Sequence, residues 1–309
     1  MKMKRIIPIL LALLMIVMVS CAAPTVDTDS QANDGKTNEQ AQTDENNKPE
    51  SNAPDQNGSG DGEGDGNTPV KKTYSILFIG NSYTYYNDMP TALFEKIAES
   101  AGYEVEVSSI TKGSHTLSKF ADPTDTYGAK VDVALKGTKK YDFVILQEQS
   151  VTPATDSAPE FYSAVRNLSE RIRAAGAEPI LYSTWGRNAG SGTLNTYGWT
   201  TESMTWKLAA AYQAIGDALN IRVAHVGLAF FDARTNPRMA LYDSDNSHPS
   251  YSGSYLAAAT LFAEIFDADP TAASYVGSLS QTKAEYLLQA AKRAVFETPA
   301  IPDEYKVSL

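Results

Sequence analysis

The sequence predicts an α/β fold: a three-layer α/β/α sandwich around a mostly parallel five-stranded sheet. Three observations point there. Five short runs of four to seven residues with strand character recur between residues 73 and 226. Segments with helical periodicity, most of twelve residues or more, alternate with them. Runs such as 142–146 (DFVIL) are apolar almost throughout, as expected of strands covered on both faces.

Residues 73–79 (TYSILFI) read as the first strand, closed by Gly80. Asp88 is placed as the N-cap of the first helix, with Pro90 in its first turn. Leu93, Phe94, Ile97 and Ala98 give that helix its apolar face, and Gly102 ends it. Residues 104–110 alternate as the second strand, and 131–135 read as helical. The third strand is 142–146, followed by a helix over 159–175 that stops at Gly176. Residues 179–182 form the fourth strand, 200–219 a long helix and 221–226 the fifth strand. Helices over 251–266 and 282–296 follow. Ligands of such sheets bind beyond the carboxyl ends of the strands. The loops after Ile79, Ile110, Leu146 and Tyr182 leave that edge.

The N-terminal part has a different composition. Lys2, Lys4 and Arg5 precede an apolar stretch, 6–19, suited to a signal-peptide core and short for a membrane span. Met18-Val19-Ser20-Cys21 resembles the lipobox of bacterial lipoproteins, with Met18 where leucine is usual. That resemblance implies a signal peptide over 1–20, lipidation of Cys21 and an extracytoplasmic protein anchored to a bacterial membrane. Stable anchoring needs two or more acyl chains. Cys21 is the only cysteine, so no intrachain disulfide is possible. Residues 22–70 contain no aromatic residue, no Leu and no Ile, and carry a charge of −9. Such a segment buries too little apolar surface to offset its ordering entropy, so 21–72 is expected to be a disordered acidic tether. The basic head contributes +3, leaving −5 of the total −11 to the remainder. No large basic patch is expected there, which argues against nucleic acid as a partner. Residues 73–309 hold all seventeen tyrosines and suffice for one domain with a substantial core.

Four blocks in this domain carry candidate chemistry. Gly80-Asn81-Ser82 follows the first strand, Lys112-Gly113-Ser114-His115 the second, and Gln147-Glu148-Gln149-Ser150 the third; Asp245-Asn246-Ser247-His248 lies near the end. A serine nucleophile needs a base, and the base needs an orienter. Ser82, His248 and Asp245 supply one candidate for each role. Asp243 is a nearby substitute whose spacing fits less well. The pattern is not the G-x-S-x-G elbow, because Thr84 stands at the second glycine.

In these blocks, residues 73–296 resemble the SGNH hydrolase superfamily, the GDSL-like esterases and lipases. The likeness is nearest to its lipoprotein and carbohydrate-esterase branches, where Gly-Asn-Ser can replace Gly-Asp-Ser. The resemblance implies a flavodoxin-like sheet and an oxyanion hole that uses the backbone N–H groups of Ser82 and Gly113. A third donor is usually an Asn side chain in Gly-x-Asn, which is missing after Leu146. A Gln amide offers the same NH2 donor on a longer stem. Gln147 is the first choice and Gln149 the second.

Trp185 and His115 are candidate substrate contacts. His225 reads as a satisfied core histidine in the fifth strand. Residues 188–197, rich in Gly, Ser, Thr and Asn, read as a loop able to act as a lid. Tyr83, Tyr85 and Tyr86 either line the cleft or pack on the first helix. The spacing offers no metal-ligand motif and no nucleotide loop, so neither metal nor cofactor is expected. The resemblance, with a location outside the cell, implies serine-esterase hydrolysis of O-acyl, especially O-acetyl, esters on a carbohydrate. A lipase, a thioesterase, a sugar O-acyltransferase or a non-catalytic glycan-binding lipoprotein are the alternatives.

Overall fold

The computed structural model describes residues 72–309. The predicted signal segment, Cys21 and the tether up to residue 71 lie outside them. Five strands form one sheet: β1 (Thr73–Gly80), β2 (Glu104–Thr111), β3 (Phe143–Leu146), β4 (Glu178–Tyr182) and β5 (Arg222–Ala224). Their order is β2-β1-β3-β4-β5, and every pairing is parallel. The sheet is thus wholly parallel where the sequence promised a mostly parallel one.

Ten α-helices accompany it among the described residues: α1 (Ser82–Tyr85), α2 (Glu95–Ser100), α3 (Leu117–Ala121), α4 (Thr126–Lys136), α5 (Ala158–Ala174), α6 (Gly192–Tyr197), α7 (Thr201–Leu219), α8 (Val226–Ala233), α9 (Tyr251–Phe266) and α10 (Gln281–Phe296). Alternation along β1 builds both layers. Ile76 and Phe78 join the core formed with α8, α9 and α10, while Leu77 and Ile79 join the core formed with α3, α4, α5 and α7. Both faces of the sheet are therefore buried, which is why β1 and β3 read as near-continuous apolar runs.

Register brings the functional blocks to one edge. Gly80 pairs with Thr111, and Ile79 pairs with Leu146, which pairs with Leu181. The chain leaves β1, β2 and β3 at the same height. Connections from β1 go to one side and those to β3 onward go to the other. Ser82 thus stands at the switch point of the sheet, where ligands of such folds bind.

Several predicted elements are corrected. Asp88 does stand at an N-cap position with Pro90 in the first turn beyond it, but its φ is +49° and its side chain makes no cap hydrogen bond. Asn87 and Asp88 are consecutive left-handed residues, and a π-helical segment (Met89–Phe94) leads into α2. The fifth strand is only Arg222–Ala224, with His225 at the N-cap position of α8. Residues 188–197 are not structureless, since α6 lies within them and Ser191 and Leu194 are buried.

Candidate active site

The Gly80–Ser82 segment is shaped by a close approach. A Cβ on Gly80 would clash with Thr84 Oγ1 and stand 2.7 Å from Gln147 Oε1, so only glycine fits. Asn81 then caps α1, its Oδ1 accepting the Tyr83 N–H at 3.2 Å and its Nδ2 donating to the His115 carbonyl at 3.1 Å. These bonds hold Ser82 as the first residue of α1, with its side chain in the cleft.

The Asp245–His248 block forms a tight turn, with Asn246 at φ +59°, a conformation asparagine tolerates. Asp245 Oδ1 accepts the backbone N–H groups of Ser247 and His248 at 2.9 and 2.8 Å. That leaves Oδ2 to meet His248 Nδ1 at 2.5 Å. On the other side of the ring, His248 Nε2 lies 2.9 Å from Ser82 Oγ. Partial burial pushes the Asp245 carboxyl up. The His248 ring and the two backbone donors outweigh it and leave the carboxyl below its ordinary range.

Aromatic rings fix the imidazole. Tyr86 stacks on His248 at 4.2 Å with the planes 9° apart, and Tyr83 meets its edge at 5.5 Å. Asn87 Nδ2 bonds to the Pro249 carbonyl and Ser254 Oγ, so the left-handed strap pins Tyr86 over the ring. Tyr85 is 39% exposed, and its hydroxyl faces Gly113. The three tyrosines therefore divide: two pack on the histidine and one lies at the surface.

Two predicted substrate contacts are displaced. Trp185 is fully buried, sandwiched between Tyr83 at 4.5 Å and Phe230 at 4.1 Å, and its Nε1 donates to the Ser247 carbonyl at 3.0 Å. It wedges the Asp245–His248 loop from beneath instead of offering a platform. Each stacked pair adds about 0.5–1.5 kcal/mol beyond burial. His115 is also buried, with Nε2 3.0 Å from Asp125 Oδ1 and its ring against Phe120 and Tyr127, away from the cleft. His225 binds Gln213 Oε1 through Nε2 at 2.7 Å, but its Nδ1 is buried without a partner among the described residues, so it is only half satisfied there.

The two glutamines part company. Gln147 is fully buried: Oε1 accepts the Asn81 N–H at 2.8 Å and the Thr84 hydroxyl at 2.9 Å, and Nε2 donates to the Glu148 carbonyl. Its amide is engaged at both ends, and it does not line the cleft. Gln149 does line it. Its Oε1 accepts the N–H groups of Val151 and Thr152 at 2.9 and 3.2 Å, which turns Nε2 the other way, with no acceptor among the described residues. The amide N–H groups of Ser82 and Gly113 likewise have no acceptor there. Between the glutamines, Glu148 accepts N–H bonds from Leu117 and Gln149 at 3.1 and 2.6 Å, yet burial lifts its carboxyl to about 7.

The cleft at Ser82 encloses about 80 Å³ and is bordered by Gln149, Ser150, Arg187, Ser247 and His248. Larger hollows of about 450 and 540 Å³ lie elsewhere. We assign the site to the small one, because a hydroxyl, an imidazole and a carboxylate in hydrogen-bonded series define a chemical centre and volume does not. Sequence reading placed Ser150 in a candidate block without giving it a role, and it did not single out Arg187. The only cue was that both follow strands at the active edge.

Fold and site define the class: a doubly wound α/β/α protein with Ser, His and Asp aligned at the switch point, the arrangement serine hydrolases use. No protein-family model and no curated protein matches the chain. Solved structures do. A candidate SGNH hydrolase from Slackia heliotrinireducens is 34% identical over 63% of this chain and 100% of that one, with a TM-score of 0.55. A DUF4886 family protein from Bacteroides uniformis, 18% identical over 77% of this chain and 98% of that one, shares the fold at a TM-score of 0.64. The chain belongs to the SGNH hydrolase superfamily.

Proposed function

We propose that the protein is an extracytoplasmic serine esterase that removes short O-acyl groups, acetyl above all, from a carbohydrate. The observation that carries this reading is the 2.9 Å approach of Ser82 Oγ to His248 Nε2, with Asp245 on the opposite ring nitrogen. Ser82 Oγ attacks the ester carbonyl and its proton passes to His248 Nε2. The imidazolium, held and stabilised by Asp245, returns that proton to the leaving alkoxide, and the acyl group stays on Ser82. Water, deprotonated by His248, then attacks the acyl-enzyme and releases the acid and free serine.

The negative oxygen of each tetrahedral intermediate is received by the N–H groups of Ser82 and Gly113 and by Gln149 Nε2. Support comes from their having no acceptor among the described residues, whereas the Gln147 amide is occupied. The 80 Å³ cleft favours a short acyl group, since pockets for larger ligands span about 300–1,000 Å³. That weighs against the long-chain lipase and thioesterase alternatives. Tyr85, exposed beside Gly113, offers a face for a sugar ring. Among the described residues no helix is long and apolar enough to cross a membrane. Membrane attachment is assigned to lipidated Cys21, and mass spectrometry of the native N-terminus tests it.

The direct test is hydrolysis of p-nitrophenyl acetate by the wild-type protein and by Ser82→Ala. A rate lower by several orders of magnitude in the variant is expected. Equal rates would leave the reading without its nucleophile.

A further inference from the structure

Arg187 borders the same cleft as Ser82 and His248, yet nothing in the triad chemistry uses it. Its surroundings are unlike those of the ion-paired arginines. Arg171, Arg222 and Arg293 meet carboxylates at 3.2, 2.8 and 2.6 Å. Arg187 meets none among the described residues. One terminal nitrogen donates to Ser150 Oγ at 3.1 Å, and the other to Thr193 Oγ1, both neutral hydroxyls. Its Nε is buried with no hydrogen-bond partner among the described residues. Asp245, the carboxylate of the adjoining loop, is engaged by His248 and two backbone donors.

A part-buried guanidinium without a counter-charge is costly, and proteins ordinarily pair such groups. The backbone holds it there by construction. A Cβ on Gly186 would run into the Thr201 carbonyl, so glycine lets this loop press on α7. The Gly186 carbonyl accepts the Tyr242 hydroxyl at 2.7 Å, and the Arg187 N–H meets Met204 Sδ at 3.4 Å. The side chain is thus presented to a cleft of about 80 Å³, and whatever meets it lies a few atoms from the reacting carbonyl.

We propose that Arg187 determines specificity: its guanidinium docks a carboxylate carried by the ester substrate close to the bond that is cleaved. The inference rests on the esterase reading above and narrows its substrate class to acidic esters. The planar fork of Arg suits a carboxylate better than a neutral hydroxyl. The carboxylate belongs either to the alcohol part, as in an O-acetylated acidic sugar, or to the acyl part, as in a hemiester.

Two substrate pairs separate these sources. 4-Acetoxybenzoate against 4-acetoxybenzamide places the charge on the alcohol side. Phenyl hydrogen succinate against phenyl succinamate places it on the acyl side, with the uncatalysed rate subtracted. In one pair the wild-type kcat/KM favours the acid. The acid-to-amide ratio falls by about tenfold or more in Arg187→Gln, the loss expected for one charged hydrogen-bonding partner. Arg187→Lys, which keeps the charge, retains more of that ratio. Ratios equal in wild type and Arg187→Gln for both pairs overturn the proposal, even if both absolute rates fall. Thermal melting in sodium succinate against sodium chloride of matched ionic strength gives a readout independent of turnover. A succinate-specific rise in Tm, present in wild type and absent in Arg187→Gln, supports the anion site even if no ester is hydrolysed. Equal rises in both proteins reject it. The same melts show whether the variant folds.

Discussion

His248 and His225 both sit in polar company near strand ends, and they have opposite fates. The imidazole of His248 is a quarter exposed, with Asp245 on one nitrogen and Ser82 on the other. His225 is almost wholly buried, with Gln213 on one nitrogen and no partner on the other among the described residues. Burial pushes the His225 pKa down to about 4, so the ring stays neutral. A base that must gain and lose a proton in each turnover needs a carboxylate to share the positive charge and an open face to the substrate. The difference lies in the partners, not in the residue type.

The strongest way to break this contrast is substitution at the triad. His248→Ala is expected to lower kcat by several orders of magnitude, as Ser82→Ala does, because the members act as a unit. Asp245→Asn, which keeps the shape but removes the charge, is expected to cost about 10⁴ in kcat. Steady-state assays on a p-nitrophenyl ester measure both. If either variant retains wild-type rates, the triad assignment is wrong.

Next in size is the contrast between the glutamines. Gln149→Ala removes a donor aimed at the cleft and is expected to lower kcat about 10²–10³-fold, with a smaller loss of stability than Gln147→Ala because the Val151 and Thr152 N–H groups it frees are only part-buried. Gln147→Ala leaves the Asn81 N–H and the Thr84 hydroxyl without their buried acceptor, so its principal effect is expected on stability, about 1–3 kcal/mol. A full exchange of these two outcomes would reverse the assignment.

A third prediction uses pH. Glu148, raised to about 7, stays protonated in the folded protein where the unfolded chain has released its proton. It therefore removes stability as pH rises from about 4.5 to 7, roughly 3 kcal/mol in all. His225, lowered to about 4, stays neutral where the unfolded chain has taken up a proton. It removes a similar amount, roughly 3 kcal/mol, as pH falls from about 6.5 to 4. The two slopes oppose each other across nearly the same window. His225→Gln should tilt stability downward with rising pH, and Glu148→Gln should tilt it downward with falling pH. Urea midpoints at pH 4.5 and 7 read both, and parallel lines for the two variants would refute the account.

The smallest expected effect is on catalysis at the buried histidine. His225→Gln should leave kcat/KM on a neutral ester unchanged at pH 7.5. A loss like that of His248→Ala would mean that the two histidines share a function.

Much of the fold was legible because its signals are local. Residues 73–79 announce a strand covered on both faces, and Gly80 announces the end of it. Asp245 and His248 were legible as a pair because three residues of turn suffice to bring them together. Asp88 and Pro90 were read correctly as a helix start, but the left-handed backbone at Asn87 and Asp88 that carries Tyr86 over His248 left no local signal. Trp185 misled because a tryptophan after a strand suits either a wall of the cleft or the layer beneath it.

The sequence by itself determined the strand–helix alternation, the compositional break near residue 70 and the residue types of a nucleophile, a base and an orienter, since each depends on neighbours within a few positions. Only the tertiary structure decided which amide faces the cleft and which lies beneath it. Gln147 and Gln149 are two residues apart, and packing against Gly80 and Thr84 takes up the first while a turn at Val151 aims the second. It also decided that Arg187, with no ion pair among the described residues, borders the place where Ser82 meets His248. Contacts between residues a hundred or more positions apart are set by the register of the sheet and the packing of its layers, and no short stretch of sequence carries that information.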